Sequence, residues 1–155
     1  MDKKLFLTSK FINLLQALDP NSNGKWGLMN VHQMVEHLIE SFKVANGSII
    51  VNEIITPLEK LEKMQTFIRS EIPFKENTKN ALMPDTPAPI INTDYSASLK
   101  NLQVEINEMY HFYDVNPNST LRNPFFGDLD FSLNEALLFK HVVHHCKQFG
   151  ITIIN

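Results

Sequence analysis

From Ser132 to Phe149 the chain places apolar side chains at Leu133, Ala136, Leu137, Leu138, Phe139, Val142, Val143, Cys146 and Phe149. At helical spacing these cover nearly the whole circumference, and a helix apolar on most sides has to be buried among other elements. Its ends are marked: Ser132-Leu133-Asn134-Glu135 reads as a capping box and Gly150 as a terminator. One stripe breaks the apolar surround. Asn134, His141, His145 and Gln148 fall within roughly 60° of one another, with Leu137 and Leu138 flanking them. Polar groups in such a setting are costly unless they are satisfied, so this stripe needs a partner. An i, i+4 histidine pair can chelate a metal ion with both imidazoles pointing the same way. The plainer reading is a hydrogen-bonded core pair or a solvated edge.

A buried helix needs neighbours, and the rest of the chain supplies them. Residues from about Lys3 to Leu18 carry apolar positions near a helical period, followed by the turn chemistry of DPNSNGKWG. A second helix is expected from the cap Asn30, with Gln33 completing a capping-box variant, to about Asn46-Gly47. Its apolar face is Val31, Met34, Val35, Leu38 and Phe42. Thr56 as cap and Pro57 at the first helical position start a short extra helix to about Arg69. Pro73, Pro84, Pro87 and Pro89 then make Glu71–Thr93 a long irregular crossover, a kind of loop that tends to be functional or to wrap the surface. A further long helix is expected from about Ser96 to Asp114, stopped by Asn116-Pro117-Asn118. Strand candidates are few, at Ser48–Ile55 and Ile151–Ile154. The pattern predicts one all-α domain over residues 1–155. Its architecture is a four-helix bundle with a long Pro-rich crossover and a short extra helix.

Charge and composition narrow the function. The net charge of −3 is spread in short mixed stretches, without the Lys/Arg cluster that nucleic acid or an anionic membrane would need. No stretch approaches the roughly 20 apolar residues of a membrane span, and MDKKLFLTSKF lacks the continuous apolar run of a signal peptide. The single cysteine, Cys146, cannot form an internal disulfide, which fits a reducing cytoplasm. Gly-rich phosphate loops, Gly-x-Ser-x-Gly elbows and Cys-x-x-Cys pairs are all absent. These features lead to the expectation of a cytoplasmic protein with neither nucleic acid nor membrane as partner, and they leave its function open.

A third metal ligand would have to come from another helix. His32 and His37 lie on opposite flanks of the second helix's apolar face, each about 100–120° from its centre, so periodicity does not choose between them. His37 shares its flank with Asn30 and Ser41, and His32 lies beside Ile39. Either is otherwise a partly exposed boundary residue. Glu36 is a candidate general base, although its position faces solvent. Tyr110 and His111 are pocket-lining candidates whose ordinary reading is a core tyrosine and a boundary histidine. Phe125 and Phe126 before Gly127 are expected to anchor the turn into the last helix. Cys146 is turned about 100° from the histidine stripe and reads as packed core.

The run from Trp26 through Asn30-Val-His-Gln-Met-Val-Glu-His37-Leu resembles the second-helix motif of the DinB-like family. There a Trp precedes the helix and a histidine lies seven residues after the helix start. His141-Val-Val-His144-His145-Cys-Lys-Gln148 resembles that family's closing motif, two histidines four apart followed by a Gln three residues on. Carried over position by position, the resemblance implies His37, His141 and His145 as metal ligands, with His32 and His144 as neighbours. Asn123-Pro-Phe-Phe-Gly-Asp-Leu resembles an uncharacterised bacterial subgroup in which many members carry His where this chain has Asn123, so any pocket role of that histidine is in doubt here.

The resemblance implies a four-helix bundle, often a homodimer, whose members include enzymes that conjugate or cleave low-molecular-weight thiols at a three-histidine metal. Three neutral imidazoles with an open position are a common arrangement of catalytic zinc, and imidazole also suits nickel and iron(II). The leading expectation is therefore a metal-dependent hydrolase or thiol transferase using one divalent ion to activate water or a thiolate. Asn30, Ser41, Tyr110, Asn134 and Gln148 are pocket or supporting candidates, and no catalytic residue is assigned. The alternative is a non-catalytic, stress-related bundle protein that binds a metal or another ligand.

Overall fold

The computed structural model describes residues 1–78, 82 and 86–153. Pro84 of the crossover and Ile154 of the second strand candidate lie outside them. The described chain is mostly helical, with one small sheet. The first helix, α1, is an α segment Lys3–Leu5, a π-helical turn Phe6–Lys10 and an α segment Phe11–Gln16. It is followed by α2 (Val31–Ala45), α3 (Leu58–Arg69), α4 (Tyr95–Val115) and α5 (Phe131–Gln148). None of the described helices is long and apolar enough to cross a membrane.

The boundary of α2 follows from its sequence. Gln33 N–H donates to Asn30 Oδ1 at 2.8 Å while Asn30 N–H donates to Gln33 Oε1 at 3.0 Å, a reciprocal capping box. At the other end Gly47 takes φ +82, the left-handed closure that glycine tolerates. Two further starts differ from expectation. Pro57 is the residue flanking α3, with no side-chain cap, in place of Thr56. In α5 the cap is Asp130, whose Oδ1 accepts from Leu133 N–H at 2.9 Å, so Ser132 lies inside the helix. An aspartate two residues upstream of the serine competes for the same orphan N–H groups, and here it wins.

Why α5 is apolar on nearly every side is explained by its position between two hydrophobic clusters. Leu138, Val142 and Cys146 join the main core with Leu7, Phe11 and Leu15 of α1, Met34, Leu38 and Phe42 of α2, and Leu102, Ile106 and Met109 of α4. Leu133 and Leu137 join a second cluster with Ile68 of α3, Phe126 and Leu129.

Neither strand candidate forms a ladder over its described residues, Ser48–Ile55 and Ile151–Ile153. The sheet is instead a short antiparallel hairpin, β1 (Leu121–Asn123) and β2 (Gly127–Leu129), with Asn123 opposite Gly127. The three-residue loop Pro124–Phe126 leads into Gly127, the first residue of β2, at φ +77, a left-handed conformation that glycine adopts without steric cost. Asn123 Oδ1 accepts from Phe125 N–H (2.9 Å) and Phe126 N–H (3.2 Å), so the side chain at the departing motif position closes this turn.

The crossover is bonded to α5 at its start and to α2 at its end. Lys140 Nζ donates to the Ser70 and Ile72 carbonyls at 2.7 and 2.6 Å, and Lys147 pairs with Glu76 at 3.1 Å. Further on, Gln33 Nε2 donates to the Ala88 carbonyl, and the Ile91 and Asn92 N–H groups donate to Glu36, each at 3.2 Å. These are the two helices that carry His37, His141 and His145.

Candidate metal centre

On α2 the apolar face of Met34, Leu38 and Phe42 is buried in the main core, which leaves His37 on the flank toward α5. On α5, the i, i+4 spacing turns His141 and His145 to that same side. His37 Nε2 stands 3.0 Å from His141 Nε2, and His145 Nε2 stands 2.9 Å from His141 Nε2. The three ligand nitrogens all lie within 4.8 Å of one another. His145 is buried and the other two are half-buried.

Burial keeps these rings neutral. His37 is lowered to about 4, chiefly by desolvation and then by the charge of His144. His145 is lowered to about 3 by desolvation and then by His37, against a raising contribution from Gln148. His141 is held well below the ordinary histidine range by the same desolvation and by its three histidine neighbours.

The bond to Gln148 then fixes a tautomer. Gln148 Nε2 donates to the Trp26 carbonyl at 2.7 Å, which turns its Oε1 toward His145 Nδ1, also at 2.7 Å. An amide oxygen only accepts, so Nδ1 carries the proton and His145 Nε2 is a bare lone pair. His141 Nε2 faces both neighbours but holds at most one hydrogen. If it is protonated, one hydrogen serves two acceptors; if it is bare, two lone pairs meet at 2.9 Å. Neutral imidazoles therefore cannot give both short contacts a proton of their own. A cation resolves the conflict, because three lone pairs can then converge on it. An ion about 2.1 Å from each nitrogen spans nitrogens about 3.0–3.4 Å apart, close to the two short edges seen. The three histidines are close enough to bind a metal ion.

The other histidines stand apart from this set. His144 bonds the Phe74 backbone and has the Trp26 and Phe74 rings at 5.7 and 6.0 Å. Burial lowers its pKa despite the Phe74 bond and Glu76. His32 Nε2 lies 2.9 Å from the hydroxyl of buried Ser98, whose own proton goes to Glu36 Oε1 at 2.8 Å, so His32 is the donor. Glu36 is thus partly buried and not solvent-facing. Its carboxylate already accepts from Ser98, Ile91 and Asn92, which removes it from general-base duty. His111 is exposed. Cys146 is buried, and desolvation pushes its thiol up to about 12, the behaviour of a packed core cysteine.

Of the supporting candidates, only Gln148 bonds a ligand imidazole. Asn30 is committed to its cap, and Ser41 Oγ donates to the His37 carbonyl at 3.1 Å. Asn134 Nδ2 donates to Tyr113 Oη at 2.6 Å, about 10 Å along α5 from His141. Tyr110 donates to Glu135 at 3.0 Å, at that same early end of α5. Two further groups contribute, the Phe74 ring and the Trp26 carbonyl. Phe74 places its ring 6.2 Å from His141, and nothing in a Pro-rich stretch singles it out. Trp26 was visible as a motif residue, but the group that acts is its carbonyl. No family profile, curated protein or solved structure matches the chain.

Proposed function

We propose that this chain is a metal-dependent enzyme, a hydrolase or thiol transferase, holding one divalent ion on His37, His141 and His145. We further assign it to the DinB-like superfamily with its four-helix bundle, on the strength of the two histidine motifs. The observation that carries the functional reading is the donor set: three neutral imidazoles converge, and among the described residues no cysteine or carboxylate joins them as a fourth ligand. Structural zinc sites close their coordination with four protein ligands, whereas three leave a place for water or substrate. An all-imidazole set favours zinc or nickel, with iron(II) next, over magnesium or calcium, which take oxygen ligands. Such an ion, when bound, lowers the pKa of a water toward about 7 or binds a thiolate.

The chain's own residues hold the imidazoles in their ligand form and set the surroundings. Gln148 orients His145, and Phe74 presents an apolar ring beside His141. Cobalt(II) loading tests the open position. Adding a small thiol to the cobalt protein is expected to produce a thiolate-to-cobalt charge-transfer band, absent in His141→Ala. A cobalt spectrum indifferent to thiol and to pH would mean a closed site and would favour a non-catalytic metal-binding protein.

A further inference from the structure

The loop between α1 and α2 closes around the side chain of Gln148. Lys25 N–H donates to the Gln148 carbonyl at 2.8 Å, and the Trp26 carbonyl accepts from Gln148 Nε2 at 2.7 Å. Two glycines make this approach possible. A Cβ on Gly24 would stand 2.8 Å from Gln148 Cγ and 2.8 Å from the Trp26 carbonyl oxygen. A Cβ on Gly27, whose φ is +76, would stand 2.8 Å from Gln148 Nε2. The loop is itself held to α2, since Val31 N–H donates to the Ser22 carbonyl and His32 N–H to the Pro20 carbonyl, each at 3.0 Å.

We propose that the Gly24–Gly27 loop is a positioning element for the metal centre, acting through Gln148 to hold His145 as the tautomer with Nε2 free for the ion. This rests on the reading of the three histidines as a metal site. The loop touches none of the three ligand nitrogens through a bond of its own; its route to the ion is the relay Trp26 carbonyl, Gln148 amide, His145 Nδ1. Without a fixed amide, Gln148 can turn its Nε2 toward His145, and Nδ1 then becomes an acceptor with the proton moved to Nε2. That tautomer cannot ligate through Nε2 until it loses the proton. Partners that orient a ligand imidazole are typically worth about 10–100-fold in metal affinity.

The test combines two readouts on the full chain. In metal-free protein, the nitrogen-15 shifts of the His145 ring report the tautomer directly. Wild type is expected to show protonated Nδ1 and bare Nε2, and Gln148→Ala to show a mixture or the reverse. In zinc titrations against a competing chelator, Gln148→Ala is expected to bind about 10–100-fold more weakly at unchanged stoichiometry. Gln148→Glu, which keeps an acceptor for Nδ1–H, should recover most of that loss. Gly24→Ala should weaken zinc binding in the wild-type background and leave it unchanged in the Gln148→Ala background, because its effect passes through that side chain. An equal Gly24→Ala effect in both backgrounds, or an unaltered His145 tautomer in Gln148→Ala, overturns the proposal. Failure of wild type to take up zinc removes the metal reading instead, and the tautomer measurement then still decides whether the loop positions His145.

Discussion

At the residue scale, the i, i+4 pair of His141 and His145 is legible in the sequence because both members lie on one helix. The third member is not: His32 and His37 sit symmetrically about the α2 apolar face, and only contacts distant in the chain separate them. His32 is claimed by Ser98, 66 residues away, while His37 meets His141, 104 residues away. The same burial that makes the site has a consequence for the metal-free protein. His37 and His145 titrate near 4 and 3 when folded but near about 6.5 when unfolded. Below that value the unfolded chain binds more protons than the folded one, so stability falls with pH toward about 4 for His37 and about 3 for His145. Each such group contributes up to about 1.4 kcal/mol per pH unit within its window. Urea unfolding of metal-free protein at about pH 7, 6 and 5 should therefore show falling stability, with a shallower slope in His145→Gln. Equal slopes in both would mean that His145 is not held neutral by burial.

At the element scale, long periodic segments are readable and their ends less so. The second helix is anchored at both ends by residues visible in the sequence, Asn30 with Gln33 and then Gly47. For α5, two competent caps lie within three positions, and only the fold shows that Asp130 serves. Asp130→Ala is expected to cost about 1 kcal/mol, while Ser132→Ala should stay within about 0.5 kcal/mol. Thermal or denaturant unfolding of the two variants checks this, and the reverse order would place the cap on Ser132. The hairpin is not legible in the sequence because β1 and β2 have three residues each, too few for alternation to register. Ser48–Ile55, rich in β-branched residues, is the more strand-like stretch, yet it meets the hairpin region by isolated bonds, Ile55 N–H to the Pro124 carbonyl and Arg122 Nη1 to the Asn52 carbonyl.

For the whole molecule, an all-round apolar helix foretold a buried α5, and two clusters sharing that helix meet the requirement. Less foreseeable was how separate parts of the chain meet at the histidines. The crossover, a long Pro-rich loop of the kind that tends to be functional or to wrap the surface, is bonded to α5 through Lys140 and Lys147 and to α2 through Gln33 and Glu36, and it sets Phe74 beside His141. The α1–α2 loop reaches the same place through Gln148. These contacts depend on tertiary proximity that helical periodicity does not encode. The central claim is that His37, His141 and His145 hold one divalent ion, and elemental analysis after zinc or nickel loading and exhaustive dialysis tests it most directly. The expected result is about one ion per chain in wild type and none retained in the His37→Ala, His141→Ala and His145→Ala variants, each checked for retained helicity. No uptake by wild type, or full retention of the ion in any of the three variants, would contradict it.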